Sequence, residues 1–199
     1  MSLKFIIGLG NPGKEFKNTR HNIGFELLDE LINYYQAKAL QVIQGDAKKL
    51  KSKTAQIPDK KLLLVYPQTF MNLSGQAVRA VIDWYKITDL SNIVVVHDDV
   101  SLSLGQMRLI ENGGAGGQHG IESIIEHLGG NKNFRRLKFG VGPDPGGDKR
   151  SQYVLGRFPE DQQTLLVKSQ KQALECLTLF VEGSNYSDLM NKFNGIKLE

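Results

Sequence analysis

Leu3-Lys4-Phe5-Ile6-Ile7-Gly8-Leu9-Gly10-Asn11-Pro12-Gly13 opens the chain as an apolar strand running into a glycine turn. The turn has the form G-x-G-x-x-G, which in a dinucleotide-binding unit brings the backbone against a pyrophosphate at the N-terminus of a helix that opens within the motif. Three features oppose that reading. Pro12 removes a backbone donor from the middle of the turn. Lys14 to His21 shows no amphipathic period, so a helix is expected only from about Ile23. The acidic residue that should close a second strand about 20 positions on is missing. Asp29 and Glu30 fall inside the helical pattern, and Asn33 stands where an acid is wanted. The glycines are expected instead to permit a sharp turn that presents Asn11.

Outward from this turn, helix and strand patterns alternate. Ile23 to Tyr35 reads as a helix with Ile23, Leu27, Leu28, Leu31 and Ile32 on one face. Extended segments at Leu50 to Ile57 and Lys61 to Tyr66 meet at a Pro58-Asp59 hairpin turn. Ser74 is expected to cap a helix through Val78, Val81, Ile82 and Trp84. Ile93-Val94-Val95-Val96 fits a strand buried on both faces. Gln106 to Ile110 reads as a strand, Ile121 to Leu128 as a helix and Leu137 to Val141 as a central strand. Pro159 opens a long C-terminal helix, and Leu189 to Phe193 forms a short last one. The order predicts an α/β fold with a mixed, twisted β-sheet flanked by helices. No repeat or linker divides the chain, so residues 1–199 are expected to form a single domain.

Composition narrows the class. With 199 residues, 40% of them apolar, the chain can bury a core without staples. Its one cysteine, Cys176, lies beside Leu174 and Leu177, which points to packing in a reducing compartment. No secretory pattern or membrane-length apolar run is present, so a cytoplasmic protein with no membrane contact is expected. The net charge of +4 is mild and compatible with an acidic partner. Lys48, Lys49, Lys51 and Lys53, then Arg135, Arg136 and Lys138, then Lys149 and Arg150 form local clusters, each of which reads equally well as a solvated face.

Four polar positions stand next to strand ends or in loops. Asp98 closes the apolar strand that starts at Ile93, His21 ends the first long loop, Asn11 sits in the glycine turn and Asn72 follows Phe70-Met71. A histidine oriented by a carboxylate acts as a general base, because the acid fixes the tautomer and stabilises the imidazolium. Carboxamides nearby position a substrate and donate to charge developing on a carbonyl oxygen. Taken singly, His21 also fits a loop-closing role, Asp98 a cap, and the asparagines turn formers. No spacing rule unites the four, and the residues alone go no further than a hydrolytic site.

Five ordered motifs carry a more specific resemblance. Gly8-Leu9-Gly10-Asn11-Pro12-Gly13, Thr19-Arg20-His21-Asn22-Ile23-Gly24, Pro67 to Gly75, His97-Asp98-Asp99 and Gly113-Gly114-Ala115-Gly116-Gly117 resemble the signatures of bacterial-type peptidyl-tRNA hydrolases. Tyr153 to Phe158 is similar to the segment before that family's C-terminal helix. The resemblance implies hydrolysis of the ester between a peptide and tRNA, in a single α/β domain, as a monomer without metal, organic cofactor or obligate protein partner. It implies that His21 activates water, that Asp98 orients it, and that Asn11 contacts the substrate near the peptide's first amide. Phe70, Met71 and Asn72 would hold the acyl or terminal nucleotide portion, and Arg108 and Lys138 would clamp a tRNA phosphate. Such cationic contacts supply affinity without reading sequence. The Gly113 to Gly120 loop can donate backbone N–H groups to substrate or simply turn the chain.

Departures from the family pattern fall around the substrate. Gln118-His119 replaces the usual His-Asn pair, so His119 stands where an asparagine normally contacts substrate. Phe16 keeps the ring of a frequent tyrosine and loses its hydroxyl. Ser101 replaces a frequent aspartate, and Gly142-Pro143-Asp144 lacks an arginine often found there. The Gln118-His119 pair also motivates a second expectation, an RNA-binding protein on the same scaffold without turnover. A dinucleotide enzyme is the remote third.

Overall fold

A computed structural model describes residues 2–199. The strands are β1 (Lys4–Gly8), β2 (Ile43–Ala47), β3 (Ser52–Ile57), β4 (Leu62–Pro67), β5 (Ile93–Ser103), β6 (Met107–Ile110) and β7 (Arg135–Gly142). The helices are α1 (Ile23–Ala37), α2 (Ser74–Tyr85), α3 (His119–His127), α4 (Lys149–Leu155), α5 (Gln163–Glu182) and α6 (Tyr186–Phe193). All seven strands join one sheet in the order β2-β3-β4-β1-β5-β7-β6. Strands β4, β1, β5 and β7 run parallel at its centre, and antiparallel pairings of β2, β3 and β4 and of β6 with β7 complete the flanks. The sheet is mixed, as the alternation predicted.

Strand periodicity divides the core between two faces. Ile6, Leu64, Val94 and Phe139 meet α1, α5 and α6 through Leu27, Leu31, Phe180 and Phe193. Phe5, Ile7, Val65 and Val95 meet α2 and α3 through Val78, Val81, Ile121 and Ile124. Ile93 to Val96 is buried on both sides, which explains its unbroken apolar run. Cys176 is buried in α5, where loss of solvent pushes its thiol up to about 12 and leaves it unreactive. Among the described residues, no helix is long and apolar enough to cross a membrane.

Several local expectations need correction. Strand β2 carries no periodic signal because it is an edge strand with four of its five residues exposed. Ser74 is the first residue of α2 and not its cap, and its Oγ donates to Met71 O at 2.8 Å. Pro159 stands before a 3-10 turn, Glu160–Gln162, so α5 begins one turn later. Trp84 is 57% exposed and adds nothing to the apolar face of α2. The glycine turn is corrected too. Of its three glycines only Gly13 has a positive φ, 124°. A Cβ on Gly8 would strike the Gly24 carbonyl, and one on Gly10 would lie 2.9 Å from the Phe25 ring. Gly24 is equally confined, with Val96 O 2.7 Å from where its Cβ would be. These glycines seat the start of α1 against β1 and β5. That close approach, and not a sharp turn, brings the loop before α1 to the end of β5.

Candidate active site

β1 pairs with β5 only as far as Gly8 and Val96, so His97-Asp98-Asp99 project past the end of β1. The chain leaving β1 passes beside them through Asn11, a 3-10 turn at Lys14–Phe16 and a second at Arg20–Asn22, and α1 follows at once. No helix opens within the glycine motif, so the geometry of a pyrophosphate site is missing. The residues of the second turn face different ways. Arg20 is buried, donating to the carbonyls of Arg157 at 2.9 Å and Tyr153 at 3.3 Å, with its guanidinium over the Tyr153 and Phe158 rings. His21 faces the cleft, and Asn22 grips Asn11. The Asn22 carboxamide accepts from Asn11 N at 2.8 Å and donates to Asn11 O at 2.9 Å. Asn11 Oδ1 in turn accepts from Met71 N at 2.8 Å. Its Nδ2 has no partner among the described residues and is free to meet a ligand.

His21 Nδ1 lies 2.9 Å from Asp98 Oδ2. The other carboxylate oxygen, Oδ1, accepts from Gln118 Nε2 at 3.0 Å, while Gln118 Oε1 accepts from Ile121 N at 2.9 Å and so caps α3. Asp98 is 2% exposed and has a partner on both oxygens. Burial alone would raise its pKa, but the His21 charge and the hydrogen bonds from His21 and Gln118 outweigh burial and hold the carboxyl below the usual range. For His21, burial disfavours the imidazolium, yet the charge and hydrogen bond of Asp98 prevail and raise its pKa above 6.5. The pairing puts the proton of neutral His21 on Nδ1 and leaves Nε2 as the free base. Neighbouring His97 is fully enclosed, bonded through Nδ1 to Asp98 O at 2.8 Å, and burial lowers its pKa to about 4. It is neutral and structural.

The dyad lies in a cavity of about 550 Å³ that also receives Asn11, Phe16, Phe70, Met71, Asn72 and His119. Eight of the ten residues singled out from sequence therefore meet in one place. Phe16 and Phe70 touch edge to face, centroids 6.4 Å apart, and Phe70 is 56% exposed. His119 starts α3 and is exposed, beside the buried Gln118. Arg108 and Lys138 do not line the cleft. They are direct neighbours across β6 and β7, Lys138 one strand and Arg108 two strands beyond β5. Lys138 is ion-paired with Asp99, which does line the cleft, and Arg108 is exposed.

Other basic residues divide by role. Arg136 is buried and donates to the carbonyls of Gly113, Gly114 and Lys132, so it shapes the glycine loop and meets no solvent. Arg150, in α4, lines the cleft and pairs with Asp144. Gln118, Asn22 and Arg20 are the supporting residues that sequence reading missed. Their only signals were adjacency to His119 and His21, because their hydrogen bonds join segments distant in the chain.

A family model described as peptidyl-tRNA hydrolase matches residues 5–199. The peptidyl-tRNA hydrolase of Lachnospira eligens is 44% identical, the alignment covering 96% of this chain and 98% of that protein. That of Oceanobacillus iheyensis is 38% identical over 96% of this chain and all of its own length. Among solved structures, peptidyl-tRNA hydrolase from Acinetobacter baumannii superposes with a TM-score of 0.86 at 32% identity, covering 98% of this chain and 96% of that one. A complex of peptidyl-tRNA hydrolase with N-propanol gives 0.88 at 32% identity, over 99% and 97%.

Proposed function

We propose a catalytic route for this chain, which belongs to the peptidyl-tRNA hydrolase family and hydrolyses the ester of peptidyl-tRNA, from the 2.9 Å contact between His21 and Asp98. Nε2 of His21 takes a proton from water as the oxygen attacks the ester carbonyl. Asp98, held by Gln118, fixes the ring and stabilises the imidazolium that forms. Asn11 Nδ2 and the Asn72 carboxamide donate to the peptide's first amide and to the oxyanion. The tetrahedral intermediate collapses, the ribose oxygen leaves with the proton held on Nε2, and free peptide and reusable tRNA result. Phe16, Phe70 and Met71 receive the acyl group or terminal base by stacking and apolar contact.

Arg108 and Lys138 clamp a tRNA phosphate from the two strands beyond β5, with His119 standing in for the family's asparagine at the cleft mouth. The binding-protein alternative drew on Gln118-His119. Gln118 supports the catalytic acid, so that pair favours turnover. We take residues 1–199 as one domain acting as a monomer in the cytoplasm, needing no cofactor. Release of the acyl group from N-blocked aminoacyl-tRNA tests the route. Turnover by the wild type and its loss in His21→Ala are expected, and near-wild-type turnover in that variant would remove His21 as the base.

A further inference from the structure

A second cavity, of about 980 Å³, lies on the far side of the Pro12 to Asn18 loop from the catalytic cleft. Asn11 contributes to both, and the same two loops wall both. Phe16 and Phe70 face the cleft, whereas Lys17 and Gln68 face the groove. The rest of the groove runs between α1, through Asn33 and Gln36, and the β2–β3 hairpin, through Gln44 and Thr54. Charges of both signs share this lining with a set of carboxamides, Asn18, Asn33, Gln36, Gln44 and Gln68. Each offers both donors and an acceptor, which is what a peptide backbone of any sequence needs, since every non-proline residue presents one N–H and one C=O. A groove lined by apolar groups or by one sign of charge would select among side chains instead.

One group in the wall lacks a partner. Glu26 Oε1 is buried without a hydrogen bond, although the carboxyl accepts from the Asn18 backbone. Burial, reinforced by Asp29, raises the Glu26 carboxyl to about 7, and Tyr66 donates to Asp29 at 2.9 Å. A buried acceptor in this state favours a donor supplied by a ligand.

Strand order fixes where the groove lies relative to the ester. The Arg108–Lys138 pair belongs to the β6–β7 flank, the dyad to β5 and the loop after β1, and the groove to the β4–β3–β2 flank. RNA and groove therefore stand on opposite sides of the bond to be cut. We infer that this groove is the exit path for the peptide, holding the residues upstream of the ester as an extended strand through its carboxamides and the Glu26 carboxyl. The inference rests on the roles given above to His21 and to the phosphate clamp.

An extended peptide of six residues spans roughly 20 Å. The test compares tRNA carrying one N-acetylated residue with tRNA carrying about six, in the wild type, Asn33→Trp and Thr54→Trp. Both substitutions narrow the groove from separate elements, away from the cleft. The expected result is a loss of about tenfold in kcat/KM on the long substrate, the worth of one or two hydrogen bonds, with the short substrate unchanged. Unchanged rates on the long substrate, or equal losses on both in a variant whose circular dichroism matches the wild type, would overturn the inference. A variant that fails to fold loses both substrates, and the other variant then decides the matter. His21→Ala removes turnover of both substrates alike, so failure of the base assignment and failure of the groove are separately visible.

Discussion

Asp98 is 2% exposed with a partner on each carboxylate oxygen, whereas Phe70, in the same cleft, is 56% exposed and meets one other aromatic ring. The floor of the cleft is built before substrate arrives. Asn22 holds Asn11, Asn11 holds Met71, Gln118 holds Asp98, and Asp98 holds His21. The rim, with Phe70, Asn72 and His119, is exposed. Catalytic geometry needs preorganisation, because donors and bases fixed in advance cost no rearrangement during reaction. Exposed side chains outside that network tolerate substitution more readily than buried, hydrogen-bonded ones. The departures from the family pattern at His119 and Phe16 fall on the tolerant part.

The contrast can be broken first at the floor. His21→Ala is expected to lower kcat by at least about 100-fold with tRNA affinity retained, measured by single-turnover hydrolysis beside filter binding. Asp98→Asn should cost roughly 10- to 100-fold and also move the pH profile. In the wild type, activity rises with pH through the elevated pKa of His21, since only the neutral ring accepts a proton. Without the Asp98 charge, burial alone acts on His21 and its pKa falls, so the acid limb shifts to lower pH. A limb that stays in place would separate Asp98 from the base.

Gln118→Ala should reduce kcat by about three- to tenfold with little change in KM, less than the full worth of a hydrogen bond to a charged group because Asp98 keeps its contact with His21. Arg108→Ala and Lys138→Ala should each weaken tRNA binding and lower the slope of log affinity against log salt by about 1. Lys138 should show the smaller change, because Asp99 already holds its ammonium. At the rim, Phe70→Ala should raise KM only a few-fold at constant kcat, the pattern of lost uniform binding. A larger fall in kcat there would make the rim part of the catalytic floor.

Sequence carried the layered fold because its evidence is local. The unbroken Ile93–Val96 run and the face of α1 are direct imprints of burial, and both recur in the sheet and its covering helices. Strand β2 was illegible because an exposed edge strand needs no apolar alternation. The cleft residues were recognisable as motifs, but their connections were not. Asn22 to Asn11 spans 11 positions, Gln118 to Asp98 spans 20, and Arg20 to Arg157 spans 137. The glycines of the opening turn were misjudged for a similar reason. Gly8 and Gly10 answer to Gly24 and Phe25 across a packing interface, a constraint with no local periodicity.

The anchoring of Arg20 also sets a timetable. A chain made from its N-terminus acquires His21, Asp98 and both cleft asparagines well before residues 153 to 158, which fasten the turn that carries His21. The turn that carries His21 thus gains this anchor only after residues 153 to 158 have been made, at a stage when the nascent enzyme is itself a peptide esterified to tRNA.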